Sequence, residues 1–135
     1  MDIMISYERT PVPVAVVRVR GDINAATYEQ LRDRAKREIE RGAERIVLDL
    51  VDVPHISSAA FRAFHFIFHI MRTDAPEDSD EAMRAGMRAG TYHSRHLAIA
   101  RPTPRVKEVL QLAGIHHFIA VYDEVQAALD ALCQG

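Results

Sequence analysis

Seven histidines and one pair of adjacent serines are the residues of this sequence with the most obvious chemical potential. His65 and His69 stand four apart, which on a helix puts two imidazoles on one face, as in zinc proteases. The residues between them are Phe66-Ile67-Phe68, without the Glu that such a site uses as general base. Neither a cysteine nor a carboxylate cluster offers a third ligand nearby in sequence. Exposed or half-buried helix histidines therefore account for the pair better than a metal site. His116-His117 precedes an expected strand and reads as a turn, whose imidazoles can titrate near neutrality. No metal and no cofactor are expected.

Ser57 and Ser58 raise the question of a nucleophile. The G-x-S-x-G elbow is missing, and nothing designates a His–Asp pair as base and orienter. Neither G-x-G-x-x-G nor a Walker motif occurs, so no phosphate-cradling loop is present. The expectation is a protein that is not an enzyme. The two serines do stand where a strand and loop hand over to a helix. Free N–H groups and the helix dipole favour negative charge there. Two readings stay open: a serine that caps the helix, or a serine that carries phosphate and about −1.5 to −2 charges.

The elements that must position these serines follow an alternating pattern. Ile3–Tyr7 is a candidate strand and Pro11-Val12-Pro13 a bend. Val14–Arg20 is β-branched and reads as a strand buried mainly on one face. Gly21–Asn24 breaks it, and Asn24 is the expected N-cap of a helix running to about Arg41, with Gly42 as its stop. Tyr28, Leu31, Ala35 and Ile39 form the apolar face of that helix. Arg32, Asp33, Arg34, Lys36, Arg37, Glu38, Glu40 and Arg41 form a solvated face with i,i+4 ion pairs.

Arg45–Leu50 is a second central strand, followed by a loop through Pro54 and the apolar helix Ala59–Met71. His96–Ala100 is a short strand. Thr103 caps the next helix with Pro104 at its first position, and Gly114 ends it. Phe118–Tyr122 is the last strand. Asp123, with Gln126 three residues on, starts a final helix that buries Val125, Ala128, Leu129 and Leu132. The fold class is α/β: a mixed, largely parallel sheet with about four helices packed against it and its first strand antiparallel. Residues 73–95 stand outside this rhythm, either as a short helix near Ser79–Ala89 or as an irregular insertion.

A length of 135 residues fits one domain. Lys and Arg number 17 against 19 Asp and Glu, a balance that argues against a nucleic-acid partner. The single cysteine, Cys133, cannot form an internal disulfide and fits a reducing compartment. The first residues lack the basic and apolar regions of a signal peptide, and the apolar stretches Pro11–Val17 and Ala63–Met71 are far short of the roughly 20 residues that span a bilayer. A cytoplasmic protein without membrane insertion is expected.

Four segments in order resemble the STAS family. Val14–Leu31, ending G-D-I-N-A-A-T-Y-E-Q-L, resembles the family's strand, Gly, acidic, apolar, Asp and Thr-initiated helix. Arg45–Phe64, R-I-V-L-D-L-V-D-V-P-H-I-S-S-A-A-F-R-A-F, is similar to V-V-L-D-L-S-x-V-x-x-I-D-S-S-G-L, which carries the phosphorylatable serine of anti-sigma factor antagonists. Thr103–Gly114 and Phe118–Leu132 resemble the closing helix, strand and helix. The likeness covers nearly the whole chain except residues 73–95, as a single domain with an insertion.

The resemblance implies a partner switch. The unmodified antagonist binds an anti-sigma factor serine kinase, and phosphorylation by that kinase ends the complex. By position the phosphoacceptor is Ser58, with Ser57 the less favoured candidate. Ser57 replaces the motif Asp, Ala59 and Ala60 replace Ser and Gly, and Asn24 stands where Asp is usual, while Asp49 matches. The implied partner-binding residues are Asp22, Asn24, Ser57, Ser58, Ala59, Phe61, Arg62 and Phe66. The alternative is a STAS scaffold without phosphorylation, stressosome-like or the accessory subunit of a lipid transporter. An outward Phe66 beside Phe61 would add an apolar patch, expected either to support a homodimer or to be covered.

Overall fold

The computed structural model describes residues 1–9, 12–71 and 94–133. The strands are β1 (Asp2–Arg9), β2 (Pro13–Arg20), β3 (Arg45–Asp52), β4 (Leu97–Ala100) and β5 (Ala120–Tyr122). The described helices are α1 (Tyr28–Glu40), α2 (Ser58–Ile70), α3 (Pro104–Leu112) and α4 (Val125–Cys133). The strands lie in the order β1-β2-β3-β4-β5. β1 runs antiparallel to β2, and the remaining neighbours are parallel, as expected from the alternation of strands and helices. Most of the expected 73–95 insertion, including the Ser79–Ala89 helix, lies outside the described residues. No helix among the described residues is long and apolar enough to cross a membrane.

Two apolar layers sandwich the sheet. Ala15, Val17, Ile46, Leu48, Leu50, Leu97 and Ile99 point to one side, against Leu31 and Ala35 of α1, Phe64 and Ile67 of α2, and Val106 and Leu110 of α3. Val14, Val16, Val47, Ala98 and Ala100 point to the other, against Ala128, Leu129 and Leu132 of α4. β2 is thus buried on both faces over Val14–Val17, not mainly on one. A parallel strand flanked by helices on each side needs apolar residues at successive positions, which masks the period of two.

The second face is incompletely covered. α4 does not extend over β1, where Met4, Ser6 and Glu8 are exposed. A groove of about 710 Å³ remains there, lined by Met4, Ser6, Val16, Arg18, Asp49 and Arg101 among others.

Two expectations for α1 change. Asn24 caps a turn and not the helix: its Oδ1 accepts from the Ala26 N–H at 2.9 Å, and α1 begins only at Tyr28. Glu38, assigned to the solvated face, is 1% exposed. Its carboxylate accepts from Tyr7 Oη at 3.0 Å and from Arg41 Nη1 at 3.2 Å, and Arg34 Nε lies 3.9 Å away. The hydrogen bond and burial compensate each other, because a buried carboxylate needs donors. Burial, with the adjacent carboxylate, also pushes the Tyr7 hydroxyl pKa up. Asp33 accepts from Arg32 Nε at 3.0 Å.

The last strand is shorter than expected. Ile115–His117 forms a 3₁₀ turn after Gly114, and pairing with β4 begins only at Ala120. Thr103 does cap α3, accepting from the Val106 N–H at 3.3 Å with Pro104 in the first turn. Asp123 accepts from Lys107 Nζ at 3.5 Å.

Candidate functional site

The serine pair lies beyond the carboxyl end of β3, where parallel sheets commonly build their sites. The chain leaves β3 at Asp52, passes through Val53–Ser57 and enters α2 at Ser58. Ser57 is extended, with φ −105° and ψ 177°, and its Oγ accepts from the Ala59 N–H at 3.3 Å. Ser57 therefore caps the helix, and Ser58 is the first helical residue, exposed at the surface. The capping reading holds for Ser57, and its neighbour Ser58 is left accessible.

The loop is held in place by its neighbour. The Gly21 N–H donates to Asp52 O at 3.1 Å, Ile23 N–H to His55 O at 3.2 Å, and Ser57 N–H to Ile23 O at 3.0 Å. This zips the β2–α1 connection to the β3–α2 connection, with Ile23 and Ile56 bridged in parallel and Ile23 fully buried. Gly21 turns out of β2 with φ +108°, a conformation that L side chains rarely adopt. Beyond it, Thr27 Oγ1 donates to Asp22 O at 2.8 Å and accepts from the Asn24 N–H at 2.9 Å. Asp22 and Asn24 are thereby fixed beside Ser57, although 33 residues or more separate them in sequence.

The expected partner-binding residues divide into three groups. Asp22, Ser57, Ser58 and Arg62 are exposed and Asn24 is half-buried, all near this junction. Ala59 is buried. Phe61 and Phe66 are half-buried and pack against the main core, so they do not form the bare apolar patch that the sequence suggested. The Arg32 guanidinium lies 5.8 Å over the Phe66 ring. The same guanidinium lies 6.0 Å over Tyr28, and Arg62 approaches that ring to 5.9 Å. A cation–aromatic ladder thus closes the α1–α2 seam beside Ser58.

Sequence reasoning missed several contacts at this end of the sheet. Arg105 Nη1 lies 3.2 Å from His55 Nδ1, and Thr103 Oγ1 lies 3.4 Å from Val53 O. Together they tie the start of α3 to the Val53–Ser57 loop. The Asp49 side chain, 3% exposed, accepts from both Nε (3.1 Å) and Nη2 of Arg101 and from the Val51 N–H at 3.3 Å. Arg101 has φ +53° and donates its backbone N–H to Tyr122 O at 2.8 Å. Its hydrogen bond to Asp49 raises the guanidinium pKa further. This fork braces β3 against the β4–α3 connection and faces the sheet side opposite α2. No sequence motif links residues 52 positions apart.

His65 and His69 take part in aromatic packing. His65 and His69 stack at 6.3 Å between ring centres, and His65 lies 5.1 Å from the Phe118 ring. Desolvation, followed by the neighbouring His69, pushes the His65 pKa down. No group of three or more metal-ligating side chains occurs among the described residues.

The family model described as the STAS domain matches residues 5–75, just over half of the chain. The chain belongs to the STAS domain family. Its zipped loops and helix-initial serine are therefore features of a STAS domain. BtrV of Bordetella bronchiseptica, a protein named as an anti-sigma factor antagonist, is 26% identical over 113 residues, covering 84% of this chain and 81% of that protein. Among solved structures, a Thermotoga maritima protein described as an anti-sigma factor antagonist matches with TM-score 0.71 and 17% identity, covering 96% of this chain and 93% of that one. The phosphorylated form of SpoIIAA, a Bacillus cell fate determinant, matches with TM-score 0.56 and 16% identity over 94% and 97% of the two chains. At these identities the solved structures establish a shared SpoIIAA-like fold.

Proposed function

We propose that this STAS domain protein is an anti-sigma factor antagonist and that Ser58 is its phosphorylation switch. The observation that carries this reading is the division of labour between the serines. Ser57 satisfies the helix end, so Ser58 can be modified without loss of the cap. Asp22, Ser57, Ser58 and Arg62, with the half-buried Asn24, form the accessible part of the partner surface around it, with Ala59, Phe61 and Phe66 supporting it from below. The protein acts by binding in the cytoplasm and has no catalytic residue of its own.

The partner is an anti-sigma factor serine kinase. It transfers the γ-phosphoryl group of ATP to Ser58 Oγ: an O–P bond forms, the bond to the ADP leaving group breaks, and the hydroxyl proton is lost. In the free protein the added charge sits at a helix N-terminus, where dipole and N–H groups contribute about 0.3–1 kcal/mol on the stabilising side. In a docked interface the same charge is desolvated, at a penalty that can reach several kcal/mol and can exceed what a neighbouring cation returns. The difference in sign between the two states is the switch.

The test is to purify the protein from its own cells, identify the bound ATPase-type partner, and map phosphate after adding ATP. Phosphate on Ser58, absent from a Ser58→Ala variant, supports the reading. A stable complex or homo-oligomer with no phosphate at Ser58 would replace it with the scaffold reading.

A further inference from the structure

We infer that Arg62 is the intramolecular partner of phosphate on Ser58, and that it leaves the Tyr28 ring to take up that role; this rests on Ser58 being the residue modified. Ser58 and Arg62 are four apart on α2, and both are exposed. That spacing places their side chains on one helix face, about 5–6 Å apart at Cβ. The order also suits the pair. An anion in the first turn with a cation one turn later agrees with the helix dipole, the better orientation of an i,i+4 pair.

In the unmodified protein the Arg62 guanidinium rests 5.9 Å above Tyr28, a ring it shares with Arg32 at 6.0 Å. Arg32 is tied elsewhere as well, through Asp33 at 3.0 Å and over Phe66 at 5.8 Å. Tyr28 therefore keeps one cation if Arg62 departs. An exposed cation–aromatic contact is weak, whereas a guanidinium and a phosphate form a charge-assisted, two-pronged pair. Electrostatics thus favours the exchange once phosphate is present.

The consequence reaches beyond the modified residue. Phosphorylation would neutralise the Arg62 charge, uncover one side of Tyr28 and rearrange the α1–α2 seam. A partner reading that seam would sense the phosphate through Arg62 and Tyr28, as well as through the charge on Ser58.

The experiment uses the full chain with phosphoserine installed at position 58 during translation, so that no kinase is required. Phosphorus NMR follows the second ionisation of the phosphate, which is near pH 6 in the free group. Arg62 should lower that pKa by at least about 0.3 unit relative to the Arg62→Gln protein. Arg62→Lys should retain part of the shift, and Arg105→Gln should leave it intact. The Tyr28 ring resonances should move on phosphorylation in the parent chain and stay put in Arg62→Gln. Equal phosphate pKa values in the parent and Arg62→Gln, or a shift removed by Arg105→Gln instead, would overturn the pairing. The affinity of the same phosphoprotein for its kinase is a separate readout. If that affinity were unchanged while Arg62 still lowered the phosphate pKa, the switch would fall and the pairing would stand.

Discussion

At the scale of single residues, adjacent serines have unequal parts. Ser57 accepts the Ala59 N–H and fixes the start of α2, while Ser58 faces solvent. Ser57→Ala should therefore lower stability by about 0.5–1 kcal/mol, the lower part of the range for a lost cap given the 3.3 Å bond. Ser58→Ala should leave the melting temperature nearly unchanged, and thermal denaturation of the two variants side by side checks the contrast. The sequence placed both serines at the junction but did not decide which would cap. Glu38 and Arg101 were harder still. The burial of Glu38 depends on Tyr7 from β1, and the pairing of Asp49 depends on an arginine beyond β4. Helix periodicity describes one helix at a time, so contacts supplied by another element leave no local trace.

At the scale of elements, the site depends on two connections being zipped together. Ile23 is the hub: its N–H and C=O both bond to the β3–α2 connection, and its side chain is fully buried. Ile23→Ala should cost about 2–5 kcal/mol by cavity formation, measured by denaturant unfolding. It should also weaken partner binding, because Asp22 and Asn24 lose their fixed position beside Ser57. The zipping was not visible in sequence, whereas the alternation of strands and helices, helix spans within a few residues and the Thr103 cap were. These last features depend on local pattern and capping chemistry, which a single segment carries by itself.

The carboxyl half of α2 has its own pH response. The His65 pKa is depressed below the ordinary value of 6.5, first by desolvation and then by His69. The unfolded chain therefore takes up the proton more readily than the folded one. The stability contribution is complete above pH 6.5 and is lost as the pH falls below it toward the folded-state value. A melting-temperature profile should fall through this acid window, and His65→Gln should flatten it. An identical slope in the variant would place the effect elsewhere.

At the scale of the whole molecule, the two faces of the sheet have separate tasks. One carries α1, α2 and α3 and presents the serine junction; the other carries α4 and an Asp49–Arg101 brace beneath the same strand ends. The brace and the buried core hold the junction in one position, so phosphate can change the surface without changing the fold. The STAS likeness was legible because its motifs lie in local segments around Gly21 and Ser58. The coverage of both faces was not, because it needs the register of all five strands.

The most direct test is the affinity of the anti-sigma factor kinase for this protein, unmodified and with phosphoserine at position 58, measured by calorimetry at one ionic strength. The account predicts at least tenfold weaker binding of the phosphoprotein, about 1.4 kcal/mol, with a melting temperature equal to or slightly above that of the unmodified protein, and Ser58→Asp should reproduce part of the loss. Equal affinity for the two forms would contradict it.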